Sequence, residues 1–203
     1  MRALGTCASA HRSFVCILTL MLSACASVPQ RPTVSRESWP ERRGALQALS
    51  SFQLRGRVGV AVNSEGFNGN LSWQQQGARS TLVIQGPLGV GATRVVAEGS
   101  ALSVTSSKGA VLDDDQARTE LSARLGFEPP ISSLRYWILG VPDPSQPATE
   151  TLGAEQRLAK LGQAGWEIQY TDYMPVGSES LPRRISLTRD ATRVRLFIDQ
   201  WQE

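Results

Sequence analysis

Apolar and polar side chains alternate along much of this chain with a period of two. Phe52, Leu54, Val58, Val60 and Val62 face one way, and Gln53, Arg55 and Arg57 face the other. That is the pattern of a strand with one buried face. After the turn residues 63–66, Phe67, Leu71 and Trp73 alternate with Asn68, Asn70, Ser72 and Gln74, so the two runs form a hairpin. Gly56 and Gly59 interrupt the first strand and imply a bulge or a sharp coil. The same signature predicts strands near 81–85, 93–98 and 102–105, with a short piece at 111–112. It returns near 155–161, 166–170, 183–188 and 193–201. There Trp166, Ile168 and Tyr170 hold one face, as do Val194, Leu196 and Ile198.

Helical spacing interrupts the strands. Ser38-Trp39-Pro40-Glu41 forms a capping box with proline in the first turn, followed by a helix to about Leu49. Asp113 to Asp115 can cap and charge a second helix carrying Ala117, Leu121 and Leu125 on one face, ended by Gly126. A third, near 132–139, places Leu134, Trp137 and Ile138 together before Gly140 and Pro142 stop it. Many antiparallel strands with one apolar face must curl over something or pack on something. The expected fold is mainly β, a strongly curved sheet or incomplete barrel covered by helices. Irregular strands with an arginine-rich polar face argue against a membrane-spanning barrel.

The first 25 residues change the picture. Arg2 and Arg12 precede an apolar run, 14–22, too short to span a bilayer as a helix. A basic start, an apolar core and small residues make a secretory signal. It closes on Leu22-Ser23-Ala24-Cys25, which matches the bacterial lipobox, whose cysteine takes a lipid. The alternative is an ordinary signal cut near Ala24 or Ala26. The lipobox reading divides the chain into a leader at 1–24, a lipid-anchored spacer at 25–36 with Pro29 and Pro32, and a single domain at 37–203. Ala26 after the cysteine resembles the sorting pattern for the outer membrane.

Charge and composition then exclude function classes. The chain has 203 residues and a net charge of +3, and removing Arg2 and Arg12 with the leader leaves about +1. A nucleic-acid partner loses its support. His11 is the one histidine, and Cys7 and Cys16 also leave with the leader. Serine triads, cysteine–histidine dyads and histidine metal sites are excluded by count. Gly89-Val90-Gly91 lacks the lysine and third glycine of a phosphate loop. Asp113, Asp114 and Asp115 suit a helix cap better than a calcium loop. Glu155, Glu167 and Asp172 could supply a carboxylate pair, but nothing in the sequence brings two together. Pro87, Leu88 and Gly89 sit in a glycine-rich loop between strands, where the leucine either tucks into the core or projects as a small apolar probe.

Several pieces recur in a recognisable order and spacing: the lipobox, Ser51-Phe52-Gln53-Leu54-Arg55-Gly56, Trp73-Gln74-Gln75 and Pro87-Leu88-Gly89. They continue with Leu134-Arg135-Tyr136-Trp137-Ile138-Leu139-Gly140-Val141-Pro142, Gly165-Trp166 leading to Tyr170, Leu181-Pro182, and Arg195-Leu196-Phe197-Ile198-Asp199-Gln200-Trp201. Together they resemble the LolB family of outer-membrane lipoprotein receptors. The resemblance implies an incomplete (half) antiparallel barrel of about ten to eleven strands, with α-helices covering an apolar concave cavity. It implies acyl chains of cargo lipoproteins as ligands, arriving on the periplasmic carrier LolA and leaving for the inner leaflet of the outer membrane. It implies a periplasm-facing monomer anchored at Cys25, no cofactor and no catalysis, and it turns Leu88 outward as a membrane-insertion tip. Alternation then assigns the lining to Phe52, Leu54, Val58, Val60, Leu71, Trp73, Leu82, Ile84, Val95, Leu102, Val104, Trp166, Ile168, Leu187, Leu196 and Ile198, with Trp137 and Ile138 on a movable cover. A packed scaffold lipoprotein and a carboxylate-dependent envelope hydrolase are the competing readings.

Overall fold

A computed structural model describes residues 38–86 and 91–202, apart from the side chain of Arg124. The leader at 1–24, Cys25, the spacer at 25–36 and the loop residues Pro87, Leu88 and Gly89 lie outside the described residues.

Eleven antiparallel strands form one sheet. In chain order they are β1 (Ser51–Val62), β2 (Glu65–Gln76), β3 (Arg79–Gln85), β4 (Thr93–Glu98), β5 (Ala101–Thr105), β6 (Val111–Asp113), β7 (Ala148–Leu152), β8 (Leu158–Gln163), β9 (Trp166–Val176), β10 (Glu179–Arg189) and β11 (Thr192–Gln202). Their order in the sheet is β6-β5-β4-β3-β2-β1-β11-β10-β9-β8-β7. The first and last strands therefore pair at the centre, and two meanders run outward from them. The sheet is open, with β6 and β7 at its edges. Between those edges the chain carries α2 (Asp114–Leu125) and α3 (Ile131–Trp137), while α1 (Trp39–Ala48) precedes β1.

Burial follows the alternation. In β1, Phe52, Leu54, Val58 and Val60 are buried, while Gln53, Arg55 and Arg57 are exposed. The β1–β2 pairing runs without a slip from Ser51↔Gln76 to Val62↔Glu65. The β1–β11 register shifts between Arg55 and Gly56. A side chain on Gly56 would run into the Phe197 carbonyl, so glycine permits the close approach where the sheet coils. On the opposite face, the guanidiniums of Arg57, Arg183 and Arg184 lie 4.3, 5.1 and 5.2 Å from the Phe197 ring centre.

Three differences from the sequence reading have physical causes. β7 was not expected, because Ala148-Thr149-Glu150-Thr151-Leu152 shows no buried alternation; it is an edge strand with one neighbour. The strand expected at 155–161 begins instead at Leu158, after a turn at Ala154–Gln156. β9 and β10 extend through Pro175 and Pro182; Pro182 pairs with Tyr173, and the register shifts directly after it, between Pro182 and Arg184, as is common where a proline interrupts a ladder. The capping box forms as expected: Ser38 N and Oγ donate to the Glu41 carboxylate at 3.0 and 2.7 Å.

α1 is fastened to the β7 side of the sheet. Trp39 Nε1 donates to Glu150 Oε2 at 2.6 Å, Arg43 pairs with Glu150 at 3.0 Å, and Gln47 Nε2 donates to Pro142 O at 2.8 Å. Gly56→Ala forces a methyl against backbone in the central strand pair. It is expected to lower stability by about 1–3 kcal/mol, read as a reduced urea midpoint with unchanged slope; an unchanged midpoint contradicts the crowding.

Candidate functional site

Between the inner sheet face and the helical connection lies a hollow of about 380 Å³. The strands supply Val58, Val60, Phe67, Leu71, Trp73, Leu82, Ile84, Val95, Trp166, Leu187, Val194 and Leu196. The helices and their linker supply Leu121, Leu125, Phe127, Pro129, Pro130, Ile131, Leu134 and Trp137. Asn68 and Thr93 are the polar residues among them. Gly86 and Gly91, which flank residues 87–90, also line it. The described stems of the Leu88 loop therefore stand at the wall of the hollow.

The sequence reading names eleven of these wall residues: Val58, Val60, Leu71, Trp73, Leu82, Ile84, Val95, Trp166, Leu187 and Leu196 by strand alternation, and Trp137 on the helical cover. Seven others named with them are inward and buried, yet pack away from the hollow: Phe52, Leu54, Leu102, Val104, Ile138, Ile168 and Ile198. Leu102 lines a separate cleft, and the chain's own side chains pack against the others. Phe52 lies 6.0 Å from Trp73 and 5.7 Å from Trp201 between ring centres. Leu54 is opposite both tryptophans in the strand register. Val104 pairs with Val95 and Leu112, and Ile168 with Leu161 and Leu187. Alternation gives a side chain's face but not its height along the strand, which decides whether another group covers it.

The helical cover is present as expected, but of its side chains that line the hollow the sequence reading named Trp137 alone. Leu121 and Leu125 are four apart and share a helix face, a visible signal. Phe127 packs edge-on against Trp166 at 5.2 Å, a contact no local pattern announces. Pro129 and Pro130 look like a helix stop, yet they line the hollow.

A buried polar network holds α3 in place. Trp137 Nε1 donates to Gln163 Oε1 at 2.7 Å, and Gln163 Nε2 donates to Asp143 O and Gln146 O, each at 2.9 Å. Ser133 Oγ donates to Asp143 Oδ2 at 2.7 Å, and Tyr170 Oη donates to Trp137 O at 2.9 Å. Burial holds the Tyr170 hydroxyl's pKa well above its ordinary value, so it remains a donor. Trp137 and Ile138 are each 1% exposed. The motif Leu134–Pro142 thus supplies wall residues, an anchoring indole and a left-handed Gly140. A side chain there would sit 3.0 Å from Pro182 Cγ. On α2, Leu102 N donates to Asp114 Oδ1 at 3.1 Å, and Arg118 Nη2 donates to Ser100 O at 2.8 Å.

No group of three or more candidate metal ligands occurs among the described residues. The three carboxylates considered for catalysis have separate partners. Glu155 pairs with Arg157 at 2.6 Å, Glu167 accepts from Gln169 at 2.7 Å, and Asp172 lies 3.5 and 3.7 Å from Arg183 and Arg184.

The family model described as outer membrane lipoprotein LolB matches residues 50–201. The chain belongs to the LolB family. The match begins one residue before β1 and ends one residue short of the end of β11, so it takes in the hollow and its roof. The outer-membrane lipoprotein LolB of Nitrosococcus oceani is 33% identical over 194 residues, 94% of this chain and 96% of that protein. LolB of Stutzerimonas stutzeri is 30% identical, covering 91% and 92% of the two chains. LolB of Pseudomonas aeruginosa is 31% identical, covering 90% and 91%. The fold also resembles a crystal structure of a LolA-superfamily protein from Nitrosomonas europaea. That match has a TM-score of 0.54 and 10% identity, over 82% of this chain and 93% of that one. A DUF1329-family protein from Desulfovibrio piger matches with a TM-score of 0.56 and 6% identity, over 81% and 90%.

Asp143 sets an acid limit on the anchored half of the roof. Burial raises its pKa, but hydrogen bonds from Ser133, Ser145 N, Ser145 Oγ and Gln146 outweigh this and leave it below its ordinary 3.8. A depressed carboxylate stabilises the fold above its unfolded-state pKa and loses that contribution as pH falls through the folded value. Asp143→Asn is expected to cost about 1–3 kcal/mol at neutral pH and to flatten the stability loss below about pH 3.8. Urea unfolding at stepped pH measures both; an unaltered acid limb contradicts the assignment.

Proposed function

We propose that this chain is a lipid-anchored acceptor in lipoprotein localisation. It takes lipoproteins from the periplasmic carrier LolA, holds acyl chain in the apolar hollow, and delivers the cargo to the inner leaflet of the outer membrane. The observation that carries this reading is a nearly all-apolar hollow whose wall includes both stems of the Leu88 loop, in a chain of the LolB family. Membership of that family supports a localisation role. The carrier, the acyl ligand and the inserting tip are the further steps proposed here.

Each methylene kept from water is worth roughly 0.8 kcal/mol. Three chains of about 15 methylenes would cost on the order of 30 kcal/mol to strand in water. Cargo therefore passes from one apolar wall to the next. Binding differences between carrier, acceptor and bilayer drive the steps, without nucleotide hydrolysis or a catalytic residue. The hollow, of about 380 Å³, is lined almost wholly by apolar side chains and so suits acyl chain. Cys25 anchors the chain, 25–36 is the spacer, and 37–203 acts as one monomeric domain facing the periplasm.

The test is transfer of a radiolabelled lipoprotein from the carrier to the anchored chain in liposomes, with uptake and membrane delivery scored separately. Leu88→Glu is expected to keep uptake within about twofold and lose most delivery, because a buried charge at the bilayer centre is costly. Val95→Trp fills the hollow and is expected to lose most uptake while the chain remains folded by circular dichroism. Full uptake by Val95→Trp removes the hollow from the mechanism. Normal delivery by Leu88→Glu removes the loop.

A further inference from the structure

A second, larger cleft of about 1010 Å³ borders the helical connection. It shares Leu121, Phe127, Pro129, Pro130, Ile131 and Trp166 with the wall of the apolar hollow. These side chains therefore stand between two spaces of different chemistry. The cleft adds Arg118, Glu128, Arg135, Arg189 and Asp190 to its lining.

Two buried side-chain nitrogens lack a hydrogen-bond partner among the described residues, Trp166 Nε1 and Arg135 Nε. Both residues line the cleft. The other four indoles all donate: Trp39 to Glu150, Trp73 to Gln75, Trp137 to Gln163 and Trp201 to Pro182. Trp166, 3% exposed, is the exception. A buried N–H with no acceptor costs more than a typical hydrogen bond returns, and such groups call for an explanation. Neither nitrogen's N–H can accept, so what satisfies them carries acceptor oxygens. The Arg135 guanidinium is held in place, with Nη1 donating to Gly77 O at 3.3 Å and its carbon 4.7 Å from the Tyr136 ring centre. Arg118 pairs with Glu128 at 3.1 Å and Arg189 lies 3.7 Å from Asp190. Two of the cleft's three arginines thus have carboxylate partners, and the third, Arg135, already donates to a neutral carbonyl, that of Gly77.

A neutral acceptor with an alkyl chain on one side and a polar group on the other is an ester carbonyl. We propose that Trp166 Nε1 and Arg135 Nε donate to the carbonyl oxygens of O-acyl glycerol esters. The ester linkage then sits at the border while its chain enters the hollow. This rests on the acyl-chain reading above and extends it from the chain to the linkage. Acylglyceryl cysteine of a lipoprotein and a diacyl phospholipid both carry the group.

The test uses the full chain in nanodiscs of ether-linked phosphatidylcholine, which hold no ester carbonyl, with ¹⁵N-labelled indoles. Three water-soluble probes are compared: a dioctanoyl-glyceryl-cysteine peptide, its dioctyl ether counterpart, and dioctanoyl phosphatidylethanolamine. The ester peptide, the ester phospholipid or both are expected to move the Trp166 indole N–H resonance downfield, and the ether is not. Which ester probe responds identifies the source. Arg135→Lys, which lies outside the wall of the hollow, keeps the charge and loses Nε. It is expected to weaken ester binding about threefold to tenfold and leave ether binding unchanged. Equal ester and ether binding, with an unmoved Trp166 resonance and a variant that alters both alike or neither, overturns the donor pair and leaves the acyl hollow standing. Binding of none of the three overturns the acyl hollow, and the donor pair with it.

Discussion

An eleven-stranded sheet with one apolar face cannot remain flat and open in water. That face must be covered, and the rest of the architecture answers this requirement. The two meanders curl from the central β1–β11 pair, helped by the slip at Gly56. The single connection from one edge to the other then crosses the concave side and covers it. The cover is thus a consequence of the strand order: a chain that leaves at β6 and re-enters at β7 has to span the opening.

The covering is uneven in kind. Where the sheet is narrowly enclosed, the chain fills its own interior with Phe52, Trp73, Trp201, Ile168 and Ile198. Under α2 and α3, rigid groups stop short of filling. Trp137 is tied to Gln163, Gly140 takes a left-handed turn, and Pro129-Pro130 fixes the link between the helices. Side chains held this firmly cannot relax inward, so a void that a softer interior would collapse is kept open. The polar network around Asp143 has a structural role for the same reason: it spends buried hydrogen bonds on holding a roof in position.

The proposed function uses both properties. A hollow lined by aliphatic and aromatic groups favours methylene chains without selecting among them, which suits an acceptor of many cargoes. Trp166 and Arg135, whose buried donors have no partner among the described residues, line the cleft that shares a wall with the hollow. The apolar hollow supplies affinity, and the border supplies register.

Alternation, glycine placement and caps are local properties, so the sequence alone determined the strands, their inward faces, the capping box and the helix stop at Gly126. The edge strand β7 escaped because a strand with one neighbour and little burial carries no alternation. Height along a strand also escaped: Leu54 and Val58 look alike in sequence, yet Trp73 and Trp201 flank the first while the second borders the hollow. Only the tertiary structure decided that Phe127, Pro129 and Pro130 form part of the roof, and that one indole of five finds no acceptor among the described residues. The physical reason is the same in each case. A residue's face follows from the chain's own geometry, whereas whether space beside it is filled depends on side chains far away in sequence.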